Sequence, residues 1–172
     1  MYNQRWAPLI FVPSMRIKNR RHNDIRNPDI QIIFICLSFK IVKKMILKKD
    51  VDFSVVDFHG EITSEKMAAG HFFDGQATCV VGTHTHVPTA DTRILEKGTA
   101  YQTDIGMCGD YNSVIGMNKE NSIKRFLKDK DAMNHFPAEG EGTLSGVIVE
   151  TDTKTGLAKN VIRIIDGGSL NK

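Results

Sequence analysis

Residues 51–83 read VDFSVVDFHGEITSEKMAAGHFFDGQATCVVGT, and the succession of patterns in them decides the fold. VDFSVVDF (Val51 to Phe58) is dense in branched and aromatic residues, the composition of a buried strand. In TSEKMAAGHFFDG, Thr63 or Ser64 can cap a helix that carries Glu65 and Lys66 in its first turn and that Gly75 can end. ATCVVGT (Ala77 to Thr83) is a second buried strand. Upstream, FKIVKKMILKKD (Phe39 to Asp50) puts Phe39, Ile41, Val42, Met45, Ile46 and Leu47 on an apolar face and leaves Lys40, Lys43, Lys44, Lys48 and Lys49 wet. Helix, strand, helix and strand in succession predict an α/β fold built on a parallel sheet.

The remaining elements are shorter. RILEKGTAYQTDIG predicts two strands around a turn at Lys97–Gly98, and NKENSIKRFLKD (Asn118 to Asp129) predicts a helix. TLSGVIVETDTKTGLAKNVIRII alternates apolar and polar positions on both sides of TKTG, a β-hairpin pattern in which Gly156 supplies the positive φ of the turn. TDIGMCGDYNSVIGM (Thr103 to Met117) is glycine-rich and reads as a structural turn region or as a loop over the site, with Gly106, Gly109 and Gly116 permitting close approach. The tail DGGSLNK is expected to fray.

The chain has 172 residues, enough for one domain with a core, and its 41% hydrophobic content is that of a globular protein. The net charge of +3 conceals an asymmetry: residues 1–50 hold 11 Lys and Arg against 3 Asp, whereas residues 51–172 hold 12 against 17 acids. The basic stretch MRIKNRRHNDIR (Met15 to Arg26) admits a nucleic-acid-binding arm, although a solvated segment is the commoner meaning of such a run. IQIIFICL (Ile30 to Leu37) is far shorter than the roughly 20 residues that span a bilayer and is not followed by a cleavage site, so a buried strand, and no membrane partner, is expected. Cys36, Cys79 and Cys108 form no C-x-x-C pair. They point to neither a disulfide framework nor a thiolate zinc site, and a reducing, cytoplasmic location follows.

Three histidines sit where an α/β sheet gathers its chemistry. His59 follows the first buried strand, and His84 and His86 follow the second, in CVVGTHTHV. Ligands collect at the carboxyl ends of parallel strands. If the two strands are parallel neighbours, all three imidazoles fall at one edge. In an extended segment, positions two apart face the same side, so His84 and His86 can converge on one place or on two adjacent metals. Neutral imidazole suits first-row divalent ions, and such a centre can activate water for phosphate-ester cleavage. Asp57, Glu61 and Asp104 are candidate ligands or orienting partners. His22, His71 and His135 have no such placement.

From about Phe39 onward the chain resembles the bacterial YmdB-like metallophosphoesterases of the calcineurin-like superfamily. The resemblance is carried by VVDFHGEITSEKMA, by DGQATCVVGTHTHVPTADTRILEKGTAYQTDIGMCGDYNSVIGM and by AEGEGTLSGVIVETDTKTG. It implies part of a four-layer α/β sandwich, with residues 39–172 forming the C-terminal part of a metallophosphoesterase domain and residues 1–38 a basic segment outside the family. It implies a phosphodiesterase of cyclic nucleotides such as 2′,3′-cyclic AMP, working with two divalent ions of the Fe, Mn or Mg type. His59 and His84 would bind one ion and His86 the other.

The family pattern also calls for an upstream aspartate, a bridging glutamate, an asparagine and a Gly-Asn-His motif with the general-acid histidine. The first 38 residues contain no glycine, so that motif is not among them. The expectation is therefore that N-terminal strands are missing, that no catalytic acid can be assigned, and that this chain alone does not hold a full dinuclear centre. Two further readings stand beside it: a non-catalytic remnant or half of a split enzyme, and a basic-armed nucleic-acid-binding protein. A homo-oligomer is compatible with all three.

Overall fold

The computed structural model describes residues 53–170. The basic segment, the run Ile30 to Leu37, the helix expected over Phe39 to Asp50, Cys36 and His22 lie outside the described residues.

Strands β1 (Val55–His59), β2 (Cys79–Thr83), β3 (Arg93–Ile94) and β4 (Ala100–Gln102) form one sheet in the order β1-β2-β4-β3. β1, β2 and β4 are parallel, and only β3 runs against β4. Helix α1 (Thr63–Phe73) crosses over between β1 and β2. The expected parallel α/β arrangement is what these residues form. β1 ends one residue later than the apolar run, at His59, because the ladder to β2 continues through the pair His59 and Thr83.

Period-two alternation divides the sheet between two cores. Val56, Val80 and Tyr101 face α1 and pack with Phe73, Ala77 and Leu95. Cys79, Val81 and Ala100 face the other way. They are covered by Val147, Val149, Ala158 and Val161 of a hairpin, β5 (Leu144–Thr151) and β6 (Ala158–Asp166). The hairpin turn is the expected one, with Gly156 at φ +72°. It is pinned to the sheet where Thr78 donates its hydroxyl to the Gly156 carbonyl at 2.7 Å and Ala158 N donates to the Gly98 carbonyl at 2.8 Å.

Two local expectations need correction or gain detail. Neither Thr63 nor Ser64 caps α1: Ile62 occupies the cap position and no side chain bonds there. The C-terminal end is better secured. The Asp74 carboxylate accepts from Lys97 N and Thr99 N, and Gly75 N donates to the Thr99 hydroxyl at 2.9 Å, so the end of α1 holds the β3–β4 turn. Helix α2 (Lys119–Phe126) falls within the predicted span and is capped by Asn118, whose side chain accepts from Asn121 N at 2.9 Å. No helix among the described residues is long and apolar enough to cross a membrane.

Candidate metal centre

Because β1, β2 and β4 are parallel, their carboxyl ends share one edge, and the three histidines lie along it. The structure brings two of them into contact. His84 Nδ1 lies 3.1 Å from His59 Nε2, and the rings meet edge to face with centroids 4.9 Å apart. The register explains the meeting. His59 is paired with Thr83, so the next residue of the second strand lands beside the His59 ring.

A hydrogen-bond chain assigns the protons in this pair. Thr83 donates its hydroxyl to Asp57 Oδ1 at 2.8 Å, since a carboxylate can only accept. The Thr83 oxygen must then accept from His59 Nδ1, 3.1 Å away. That leaves Nε2 of a neutral His59 as an acceptor, and His84 Nδ1–H donates to it. A carboxylate that fixes an imidazole through an intermediate group is the arrangement that orients histidine ligands. Asp57 therefore acts through Thr83 and His59, while Glu61 is exposed.

His86 goes elsewhere. The expected extended segment is instead a bend, with His84 at φ +114° and His86 at φ +65°. Strand alternation consequently does not apply, and the two rings part. His86 Nδ1 lies 2.9 Å from the carbonyl of Ile115, itself at φ +50°. Two left-handed residues out of three, neither of them glycine, make this a strained turn that its surroundings must hold. The glycine-rich region thus reaches the site through one carbonyl. Within it, Gly106 at φ +76° leaves space that the Tyr111 hydroxyl and Pro88 occupy, while a Cβ at Gly109 would meet nothing within 4 Å, so no close approach requires glycine there. His71 is exposed in the last turn of α1 and His135 in a loop, and neither joins the hydrogen-bonded chain of the site.

Asp104 is buried, and its carboxylate meets Lys66 and backbone amides instead of an imidazole. It lies just beyond β4, 1% exposed, and Oδ2 accepts from Lys66 Nζ at 2.7 Å. The same oxygen accepts from Thr85 N at 3.0 Å, between the two histidines, and Oδ1 accepts from Gly106 N at 2.9 Å. Burial alone would raise this carboxyl, but the hydrogen bonds from Lys66, Thr85 and Gly106 outweigh it and hold it below the usual carboxylate range. Lys66 belongs to the site's support and was not singled out by motif. The signal was present in its position: Lys66, Ala69, Gly70 and Phe73 are the buried residues of α1, spaced as one helical face, and a lysine there must find a buried partner. Gly82 makes room for this pair. A Cβ there would lie 1.8 Å from the Thr103 carbonyl oxygen and 2.8 Å from Lys66 Cδ, so its absence lets Lys66 pass under β2 to Asp104.

Comparison with known proteins places this arrangement. The model of the YmdB-like protein family matches residues 15–164, beginning upstream of the Phe39 boundary drawn from the motifs. The chain belongs to the YmdB-like family. It is 51% identical over 117 residues to the 2′,3′-cyclic-nucleotide 2′-phosphodiesterase of Bacillus subtilis strain 168, a match covering 68% of this chain and 44% of that one. Among solved structures, a phosphatase from Mycoplasma pneumoniae is 45% identical with a TM-score of 0.65, covering 78% of this chain and 49% of that one. A hypothetical protein from Thermus thermophilus is 36% identical with a TM-score of 0.67, covering 76% and 51%. The YmdB-like chain thus spans about half the length of these relatives. Among its described residues, no three His, Cys, Asp or Glu side chains converge as a metal-holding group.

Proposed function

We propose that the strand-end histidines are the metal-binding part of a phosphodiesterase centre acting on cyclic nucleotides such as 2′,3′-cyclic AMP, within a four-layer calcineurin-like sandwich. The observation that carries the reading is the His59–His84 contact at the carboxyl edge of a parallel sheet. Two nitrogens that each sit about 2.0–2.1 Å from one ion, at right to tetrahedral angles, are roughly 2.9–3.4 Å apart. The 3.1 Å separation of His84 Nδ1 and His59 Nε2 lies inside that range. His59 already presents Nε2 without a proton, because Thr83 and Asp57 hold the proton on Nδ1. His86, engaged through Nδ1 with Ile115, keeps Nε2 for a neighbouring ion.

The fit is partial. The described residues offer an imidazole pair and one separate imidazole, without a carboxylate to bridge two cations or lower their charge. When bound, divalent ions of the Fe, Mn or Mg type would supply an activated water and neutralise phosphate charge. The chain's own contribution is to keep the His59 proton on Nδ1 and to hold the two rings together at the sheet edge, so that binding an ion requires only His84 to carry its proton on Nε2 instead of Nδ1. No described residue is assigned as the general acid. That no third ligand converges among the described residues supports a second reading beside the first, in which this chain is a non-catalytic remnant or one half of a split enzyme.

The test is metal titration of the whole chain with Mn2+ and Co2+, followed by assay of the loaded protein on 2′,3′-cyclic AMP. We expect binding that His59→Ala and His84→Ala each weaken at least tenfold, with weak or no turnover. Binding indifferent to both substitutions would overturn the metal reading. Brisk turnover that His84→Ala abolishes would overturn the remnant reading and leave a complete enzyme.

A further inference from the structure

The ion pair between Lys66 and Asp104 is the most deeply buried polar cluster near the site, with both side chains 1% exposed. Both side chains are shielded from solvent by the described residues, so neither is placed to meet a substrate. Nor does stability explain it. A buried ion pair loses to desolvation much of what it gains by attraction, and an apolar pair of similar volume is often as stable. What distinguishes this pair is where its third bond goes. Asp104 Oδ2 accepts both Lys66 Nζ and the amide of Thr85, the residue between His84 and His86. That bend has His84 at φ +114° and His86 at φ +65°, conformations that side-chain-bearing residues adopt only under constraint. Gly82 is shaped to the same end, since any side chain there would strike Lys66 Cδ and the Thr103 carbonyl.

We propose that Asp104, anchored by Lys66 from α1, is a positioning residue for the histidine site: it holds the Thr85 amide so that His84 faces His59 and His86 faces the Ile115 carbonyl. The functional meaning of this rests on the reading of His59 and His84 as a metal-binding pair, but the geometric claim can be tested without metal. Besides accepting from Gly106 N through Oδ1, Asp104 has two duties, carrying charge opposite Lys66 and offering an oxygen to Thr85. Two double variants separate them. Lys66→Met/Asp104→Asn removes both charges and, with its carbonyl set toward Thr85, keeps that acceptor while giving up the bond from Gly106 N. Lys66→Met/Asp104→Leu removes both charges and the acceptor.

The readout is the imidazole nitrogen spectrum of the metal-free chain by NMR, which reports tautomer and hydrogen bonding ring by ring. We expect His59 as the Nδ1–H tautomer paired to His84 in the native chain and in Lys66→Met/Asp104→Asn. We expect averaged, exchanging rings in Lys66→Met/Asp104→Leu at a comparable melting temperature. Retention of the native pattern in Lys66→Met/Asp104→Leu overturns the proposal, as does its loss in a folded Lys66→Met/Asp104→Asn. Should either variant not fold, amide exchange in the native chain decides: Thr85 N–H, on an exposed residue, must be protected, and free exchange overturns the proposal. A Co2+ titration of the same samples is then read separately. Ordered imidazoles that bind no Co2+ would remove the metal reading while leaving the positioning role in place, whereas in a metal-binding chain the Lys66→Met/Asp104→Leu affinity falls about tenfold or more.

Discussion

Thr83 is the residue on which the chemistry of the site turns, although it has no reactive group of its own. Its hydroxyl passes the demand of Asp57 to His59, donating 2.8 Å to the carboxylate and accepting at 3.1 Å from the ring. Thr83→Val keeps the shape and removes the relay, so His59 loses the constraint on its tautomer. We expect Co2+ affinity to fall by about 10–100-fold, the usual cost of losing a partner behind a histidine ligand, with the melting temperature nearly unchanged. An unchanged affinity would show that the ring is oriented by other contacts. The cysteines give a second prediction at this scale. Cys79 is buried against the hairpin and burial pushes its thiol up to about 12, whereas Cys108 is exposed. In the native chain at pH 8, iodoacetamide should label Cys108 and spare Cys79, and mass spectrometry of the tryptic peptides checks it.

At the scale of elements, helix α1 was legible from its start and stop residues, but its packing partner was not. Gly70 is mid-helix, where alanine would ordinarily add about 1 kcal/mol. Here a Cβ would lie 2.5 Å from two carbons of the Tyr101 ring, because that ring reaches from β4 against α1. Overpacking costs roughly 1–3 kcal/mol and wins this competition, so Gly70→Ala should unfold at lower urea than the native chain. A higher midpoint would mean that the Tyr101 ring yields. In β2, Gly82→Ala meets backbone instead of a flexible side chain, 1.8 Å from the Thr103 oxygen. We expect a loss at or beyond the top of that range, measured by the same denaturation. The hairpin of β5 and β6 was fully readable, since alternation and the Gly156 turn are local. What it covers was not, because Val147 and Val161 meet Cys79 and Val81 only through the fold.

For the whole molecule, buried and half-buried ionisable groups set the pH window of stability. Burial opposes ionisation of Asp104 and Asp91, but hydrogen bonds from Lys66 and the Thr85 and Gly106 amides in the first, and from Thr103, Thr89 and Arg93 in the second, hold both below 3.8. A lowered carboxyl contributes stability that is present above its unfolded value near 3.8 and is lost as the pH falls through the folded value. Cys79 works at the other end. Its raised thiol is neutral in the fold, so stability declines once the pH rises past the unfolded value of 9.0 toward 12. A plateau between these limits is expected in melting temperature against pH. Lys66→Met/Asp104→Asn should flatten its acid flank, and an unaltered flank would show that Asp104 is not part of acid unfolding.

The sequence by itself determined the parallel sheet, the hairpin and the three histidines at strand ends. Each of those follows from hydrophobic periodicity and turn residues within about a dozen neighbours, where geometry is set by the local chain. Only the tertiary structure decided which histidines meet. The bend that separates His84 from His86, the contact across 25 residues to His59 and the Lys66–Asp104 pair across 38 depend on strand register and on burial of opposite charges. Periodicity carries no information about those pairings, because hydrogen bonds and ion pairs are satisfied by whatever the folded backbone brings within reach.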